Sequence, residues 1–97
     1  MWEVVFSKQA VKDVKKLKAA GLDKKAKALV EAVKADPFVV PPAYEPLVGN
    51  LSGLYSRRIN LLDRFVCQVI EGGHEKDGVS YEGVVKVIRM WTHYGGL

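Results

Sequence analysis

The sequence has a single cysteine, Cys67, so no internal disulfide can form; this fits a reducing cytoplasm, the expected location. It has two histidines, His74 and His93, neither at a metal-ligand spacing from that cysteine, and no zinc site or other metal centre is expected. No apolar run is long enough to cross a bilayer. The opening residues 2–6 are too short, and lack the basic lead, for a signal peptide. There is no glycine-rich phosphate loop, no repeat and no low-complexity tract. Membrane, disulfide-scaffold and nucleotide-loop functions are thereby set aside. Two residue types are present but confined. All four prolines fall at 37, 41, 42 and 46, and all four arginines at 57, 58, 64 and 89.

The remainder is ordinary for a globular chain, with 48% hydrophobic and 27% charged residues in 97. That length predicts one domain, residues 1–97, with one core. The net charge of +4 is unevenly spread. Residues 7–36 carry nine lysines against four acids, whereas the rest carries six basic and seven acidic residues. Lysine provides diffuse, hydrated positive potential, and arginine provides planar recognition of phosphate. The lysine face either keeps a helix soluble or steers the protein toward a polyanion or an acidic partner.

Residues 2–6 alternate as a short strand, with Trp2, Val4 and Phe6 on one face. Ser7 is placed to cap a helix in which Ala10, Val14 and Leu17 recur at helical spacing, beside Val11. Lys12, Lys15, Lys16 and Lys18 occupy most of its remaining surface. Gly21 ends it, and Asp23 can cap a second helix striped by Leu22, Ala26, Leu29, Val30 and Val33. Pro37 stops that helix.

Residues 37–53 read as a long ordered loop or a crossover, not a helix. Strands are expected at 54–59, 64–70 and 84–91, with a turn at 60–63 and a mobile, glycine-rich loop at 71–83. The expected fold is α+β: an N-terminal strand, a two-helix hairpin and a three-stranded antiparallel meander. They form a four-stranded sheet with both helices on one face.

Strand alternation sorts the arginines. Tyr55, Arg57 and Ile59 share one face, and Leu54, Ser56 and Arg58 share the other. Phe65, Cys67 and Val69 form an apolar face, which leaves Arg64, Val66, Gln68 and Ile70 on the open one. Glu45 in the loop, clustered guanidiniums at Arg57, Arg58 and Arg64, and the distant pair His93-Tyr94 together supply a carboxylate, an imidazole and positive charge. A ribonuclease that needs no metal requires such groups. Taken singly, each has a plainer reading: solvated strand arginines, a loop carboxylate, a polar chain end. Alternation alone does not decide which arginines meet His93.

The combination resembles the YoeB/Txe branch of the RelE-like toxins. The matching residues are Glu45-Pro46-Leu47, Asn50-Leu51-Ser52-Gly53, Ser56-Arg57-Arg58-Ile59, Arg64 and His93-Tyr94, with Asp36-Pro37-Phe38 at the helix end. The resemblance implies a RelE-like microbial RNase fold and the toxin of a type II toxin–antitoxin module. It implies an endoribonuclease that cuts mRNA in the A site of the 70S ribosome, without cofactor or metal. By the same resemblance Glu45 is the general base and His93 the general acid. Arg64, helped by Arg58, stabilises charge on the phosphorane, and Tyr94 orients the nucleotide. Arg57, Arg58, Lys12 and Lys16 are the expected RNA contacts. Expected partners are mRNA, the ribosome, a YefM-like antitoxin and, through that antitoxin only, operator DNA. Homodimers are common in the branch, and no membrane contact is expected. Two other readings stay open: a catalytically silent ribosome- or antitoxin-binding module, and an RNase independent of the ribosome.

Overall fold

The computed structural model describes residues 1–41, 43–60 and 63–90. The element order is β1 (Glu3–Phe6), α1 (Lys8–Ala19), α2 (Asp23–Ala35), β2 (Tyr44–Pro46), a 3-10 turn (Gly49–Leu51), β3 (Leu54–Arg58), β4 (Arg64–Lys76) and β5 (Val79–Arg89). The strands form one sheet in the order β1-β5-β4-β3-β2. β1 lies parallel to β5, and the other pairings are antiparallel.

Local chemistry sets the helix ends. Ser7 Oγ accepts the Ala10 N–H at 3.0 Å and donates to the Ile88 carbonyl at 2.8 Å, so the cap also ties α1 to β5. At the other end Gly21 adopts φ +74°. The Gly21 N–H then reaches Lys18 O and the Leu22 N–H reaches Leu17 O, which is the Schellman closure. α2 departs from expectation at its start. Leu22 is the N-cap, and Asp23 sits in the first turn, where its charge favours the positive helix end. Before Pro37, Asp36 is extended, with φ −155° and ψ 110°.

One face of each helix meets the sheet. Ala10 and Leu17 of α1 and Ala26, Leu29 and Val33 of α2 are buried against Ile59, Phe65, Cys67, Val85, Val87 and Met90. Val14 is 40% exposed, and the inward place beside Ala10 and Leu17 belongs to Asp13, which is fully buried. Its carboxylate accepts from Arg89 Nε at 2.8 Å and from the Met90 N–H at 3.0 Å, so a charge can sit there satisfied. Burial pushes the Cys67 thiol up to about 11, as expected for a small buried hydrophobe rather than a nucleophile.

Two expectations about the sheet are corrected. The sheet has five strands rather than four, because residues 44–46 pair with β3 as an edge strand, where Pro46 is tolerated. Residues 71–83 are not a mobile loop. They are the outer half of a hairpin whose strands run 13 and 11 residues and close at Asp77-Gly78. Both turn residues have positive φ, 52° and 79°, the geometry that suits the twist of a two-residue hairpin. Gly72 and Gly73 suggest a break in sequence, but they sit at a register shift between Glu71 and His74, a bulge within the strand. Glu3 braces this outer half: its carboxylate meets His74 Nε2 and Lys76 Nζ, each at 2.8 Å.

Candidate active site

Arg57 organises the loop before β2. It is only 1% exposed, and its guanidinium donates to Val39 O at 2.6 Å and Pro37 O at 2.8 Å. It also lies 5.0 Å from the centre of the Tyr44 ring. Phe38, Tyr44 and Tyr55 meet one another at ring separations of 5.2–5.8 Å and cover it. The proline-bearing segment is thus held from inside, and its exit into β2 is fixed.

β2 carries Glu45 into the sheet. Glu45 lies directly opposite Ser56, Ser56 opposite Val66, and Arg58 opposite Arg64. Because Tyr55, Ile59 and Phe65 face the helices, alternation turns Glu45, Ser56, Arg58 and Arg64 to the other side. They line a cleft of about 400 Å³ together with Ala43 and Tyr44. Glu45 Oε1 lies 3.6 Å from Arg64 Nη1. Arg58 and Arg64 bring like charges to directly opposed positions, an arrangement that disfavours the resting sheet. A carboxylate beside two guanidiniums can take a proton from a hydroxyl while the guanidiniums hold an anion. Among the described residues no group of acids, histidines and cysteine is gathered to hold a metal.

Residues 6–94 match the family model described as the YoeB-like toxin of bacterial type II toxin–antitoxin systems. The chain belongs to the YoeB-like toxins. Among solved structures, a YoeB/ParE toxin from Agrobacterium tumefaciens is 28% identical, with a TM-score of 0.75 over 95% of this chain and 99% of that one. The YoeB-YefM complex from Staphylococcus aureus is 28% identical, with a TM-score of 0.71 over 97% and 99%. A YoeB dimer from the same organism is 27% identical, with a TM-score of 0.71 over 96% and 98%. No curated protein sequence matches.

Within this YoeB-like fold the expected site residues separate. Glu45, Arg58 and Arg64 meet in the cleft. Arg57, expected to contact RNA, is instead buried on the opposite face, where two backbone carbonyls hold it. Lys12 and Lys16 are exposed on α1, which covers the face away from the cleft. His93 and Tyr94 lie outside the described residues. Sequence reasoning passed over two residues. Ser56 shares the cleft, and its parity with Arg58 was the available signal. Asp13 was concealed as one more charge on a lysine-rich helix, although it falls within the helical spacing of Ala10 and Leu17. No described helix is long and apolar enough to cross a membrane.

Proposed function

We propose that this YoeB-like toxin is a ribosome-dependent endoribonuclease that cuts mRNA in the A site. The observation that carries the reading is the Glu45–Arg64 contact of 3.6 Å in a cleft shared with Arg58. Glu45 removes the proton from a ribose 2′-hydroxyl, and the 2′-oxygen attacks the adjacent phosphorus. The bond from phosphorus to the 5′-oxygen breaks, leaving a 2′,3′-cyclic phosphate and a 5′-hydroxyl. His93 gives the leaving oxygen its proton. Arg64 and Arg58 hold the charge that builds on the phosphorane, and Tyr94 orients the nucleotide. The reaction is acid–base chemistry by side chains and needs no metal.

The magnitudes fit a small enzyme. Positioned acid and base groups contribute about 10²–10⁴-fold, and fixed donors at the developing charge add to that. The ribosome supplies alignment of the scissile nucleotide, itself a large factor. Free RNA is accordingly a poor substrate. The exposed lysines of α1 add diffuse attraction to polyanions rather than a contact at the reacting phosphate.

The partner expected in the cytoplasm is an acidic, partly disordered antitoxin, as the Staphylococcus aureus relative is found with YefM. Operator DNA is reached through that antitoxin. A homodimer is the form to examine in solution, given the dimer of the same relative. The test is to map mRNA ends by primer extension after expression of wild type, Glu45→Ala, Arg64→Ala and His93→Ala. A-site ends from wild type that vanish in the variants support the reading. Arrested translation without new ends leaves a silent blocking module instead, and efficient cutting of naked RNA leaves a free ribonuclease.

A further inference from the structure

The floor of the cleft holds a polar group that this scheme does not use. Ser56 is 1% exposed, and its Oγ is buried without a hydrogen-bond partner among the described residues. A buried hydroxyl in that state forfeits the bond it would have made to water. Native proteins leave few such groups, and those they leave tend to have a role.

The surroundings say which role. Across β3 and β4 the facing residue is Val66, whose side chain offers no acceptor. Across β2 and β3 the facing residue is Glu45. Directly opposed residues put their side chains on the same face, within reach of one another. Glu45 is therefore the carboxylate nearest in register to the unpartnered hydroxyl. In this structure it leans toward Arg64, at a separation too long for a tight charged hydrogen bond. Its side chain is 54% exposed, which leaves room to turn.

We infer that Ser56 is a positioning residue for Glu45: when substrate phosphate occupies Arg64 and Arg58, the carboxylate turns to accept a hydrogen bond from the Ser56 hydroxyl. The inference rests on Glu45 being the base. Arg64 cannot aim its donors at Glu45 and at a phosphate with equal effect. A carboxylate that Arg64 holds less closely is better oriented toward the 2′-oxygen when a fixed donor faces it from the neighbouring strand. The Ser56 hydroxyl is fixed by the sheet and already desolvated, so it performs this without reorganising the cleft. One carboxylate oxygen accepts from Ser56, and the other faces the substrate.

The experiment measures single-turnover cleavage of ribosome-bound mRNA against pH for wild type, Ser56→Ala, Ser56→Thr, Glu45→Gln and the double variant Ser56→Ala/Glu45→Gln. Removing an unpartnered hydroxyl leaves folding intact, so Ser56→Ala keeps the wild-type Tm or exceeds it. Its maximal rate falls about tenfold with KM little changed, the size expected for one hydrogen bond to a charged group. The acid limb of its rate profile moves to higher pH, because a lost donor favours the protonated carboxyl. Ser56→Thr keeps the hydroxyl and the wild-type limb. The double variant is no slower than Glu45→Gln alone. Wild-type rate and limb in Ser56→Ala, or a limb in Ser56→Thr that moves as it does in Ser56→Ala, would overturn the inference. Additive losses in the double variant would overturn it as well. Full activity in Glu45→Gln would overturn the assignment of the base on which it rests.

Discussion

Arg57 and Arg58 adjoin in sequence and serve opposite faces of β3. The Arg57 guanidinium donates to the carbonyls of Pro37 and Val39 beneath the Tyr44 ring, whereas Arg58 lines the cleft. Strand alternation alone produces the division. Burial makes Arg57 hold its proton less firmly than a solvated arginine, yet the two carbonyls and the Tyr44 ring compensate the charge. Arg57→Ala leaves both carbonyls without this donor and opens a void, and should destabilise the protein by about 2–4 kcal/mol. Arg57→Lys keeps the charge but cannot span both acceptors, and should recover only part of that loss. Urea unfolding checks both. Stability within about 0.5 kcal/mol of wild type for Arg57→Ala, the range of an ordinary surface change, would show that the residue is not structural.

An ion pair between Asp13 and Arg89 joins α1 to the end of β5. Burial by itself raises the Asp13 carboxyl, but hydrogen bonds from Arg89, the Met90 N–H and Gln9 outweigh it, and the net direction is downward. Glu3 is lowered too, chiefly by the hydrogen bond from Lys76 and then by that from His74. A group held lower in the folded state contributes stability that is complete above its unfolded value. That contribution is lost as pH falls through the folded value. Stability should therefore be flat in this respect above about pH 5 and decline below about pH 4. Asp13→Asn breaks a buried pair and should lose about 3–5 kcal/mol at neutral pH. It should also flatten the acid decline, which urea midpoints measured from pH 3 to 7 will show.

These two arginine contacts mark how much of the fold sequence could reveal. The Ser7 cap, the Gly21 closure and the Pro37 stop were legible because each is fixed by a few neighbouring residues. The open face of Arg64 was legible because a period of two needs no tertiary knowledge, whereas the same period grouped Arg58 with Ser56 and left undecided which face of β3 lines the cleft. The Arg89–Asp13 pair joins positions 76 apart, and no local pattern points to it. β2 is three residues long and exists through its pairing with β3, so its propensity, with Pro46 at the end, argues against it. The long hairpin was concealed by Gly72-Gly73, which mark a bulge as readily as a loop. The burial of Arg57 followed from its parity with Tyr55. A charged residue weighs against burial until its acceptors, both in a loop about twenty residues back, are known.

Gly83 tests the same hairpin. A Cβ built there collides with the Ile70 carbonyl oxygen and the Trp2 ring. Neither can retreat cheaply, since one is backbone in β4 and the other packs against the core. Gly83→Ala should cost about 1–3 kcal/mol through overpacking. At the hairpin tip Gly78, with φ +79°, has open space around it, so Gly78→Ala meets strain alone and should cost about 1 kcal/mol. Thermal unfolding should order the pair accordingly, with Gly83→Ala the lower. The reverse order would mean that the strand shifts to admit a methyl group at 83.

The opposition of Arg58 and Arg64 leads to a variant in which stability and activity move apart. Directly opposed like charges on a sheet destabilise by roughly 0.2–1 kcal/mol, and Glu45 Oε1, 3.6 Å from Arg64, offsets some of that. In the proposed reaction a dianionic phosphorane between the two guanidiniums would reverse the sign of that interaction and make the resting repulsion useful in the transition state. Arg58→Gln removes the repulsion and keeps a neutral donor on a shorter side chain. Its midpoint in urea should match or exceed that of wild type, with the gain disappearing in high salt as screening removes the repulsion from wild type. Its rate on ribosome-bound mRNA should fall by about 10²-fold, the loss typical of one donor to a developing oxyanion. Equal loss of stability and activity would instead make Arg58 a structural residue, as Arg57 is.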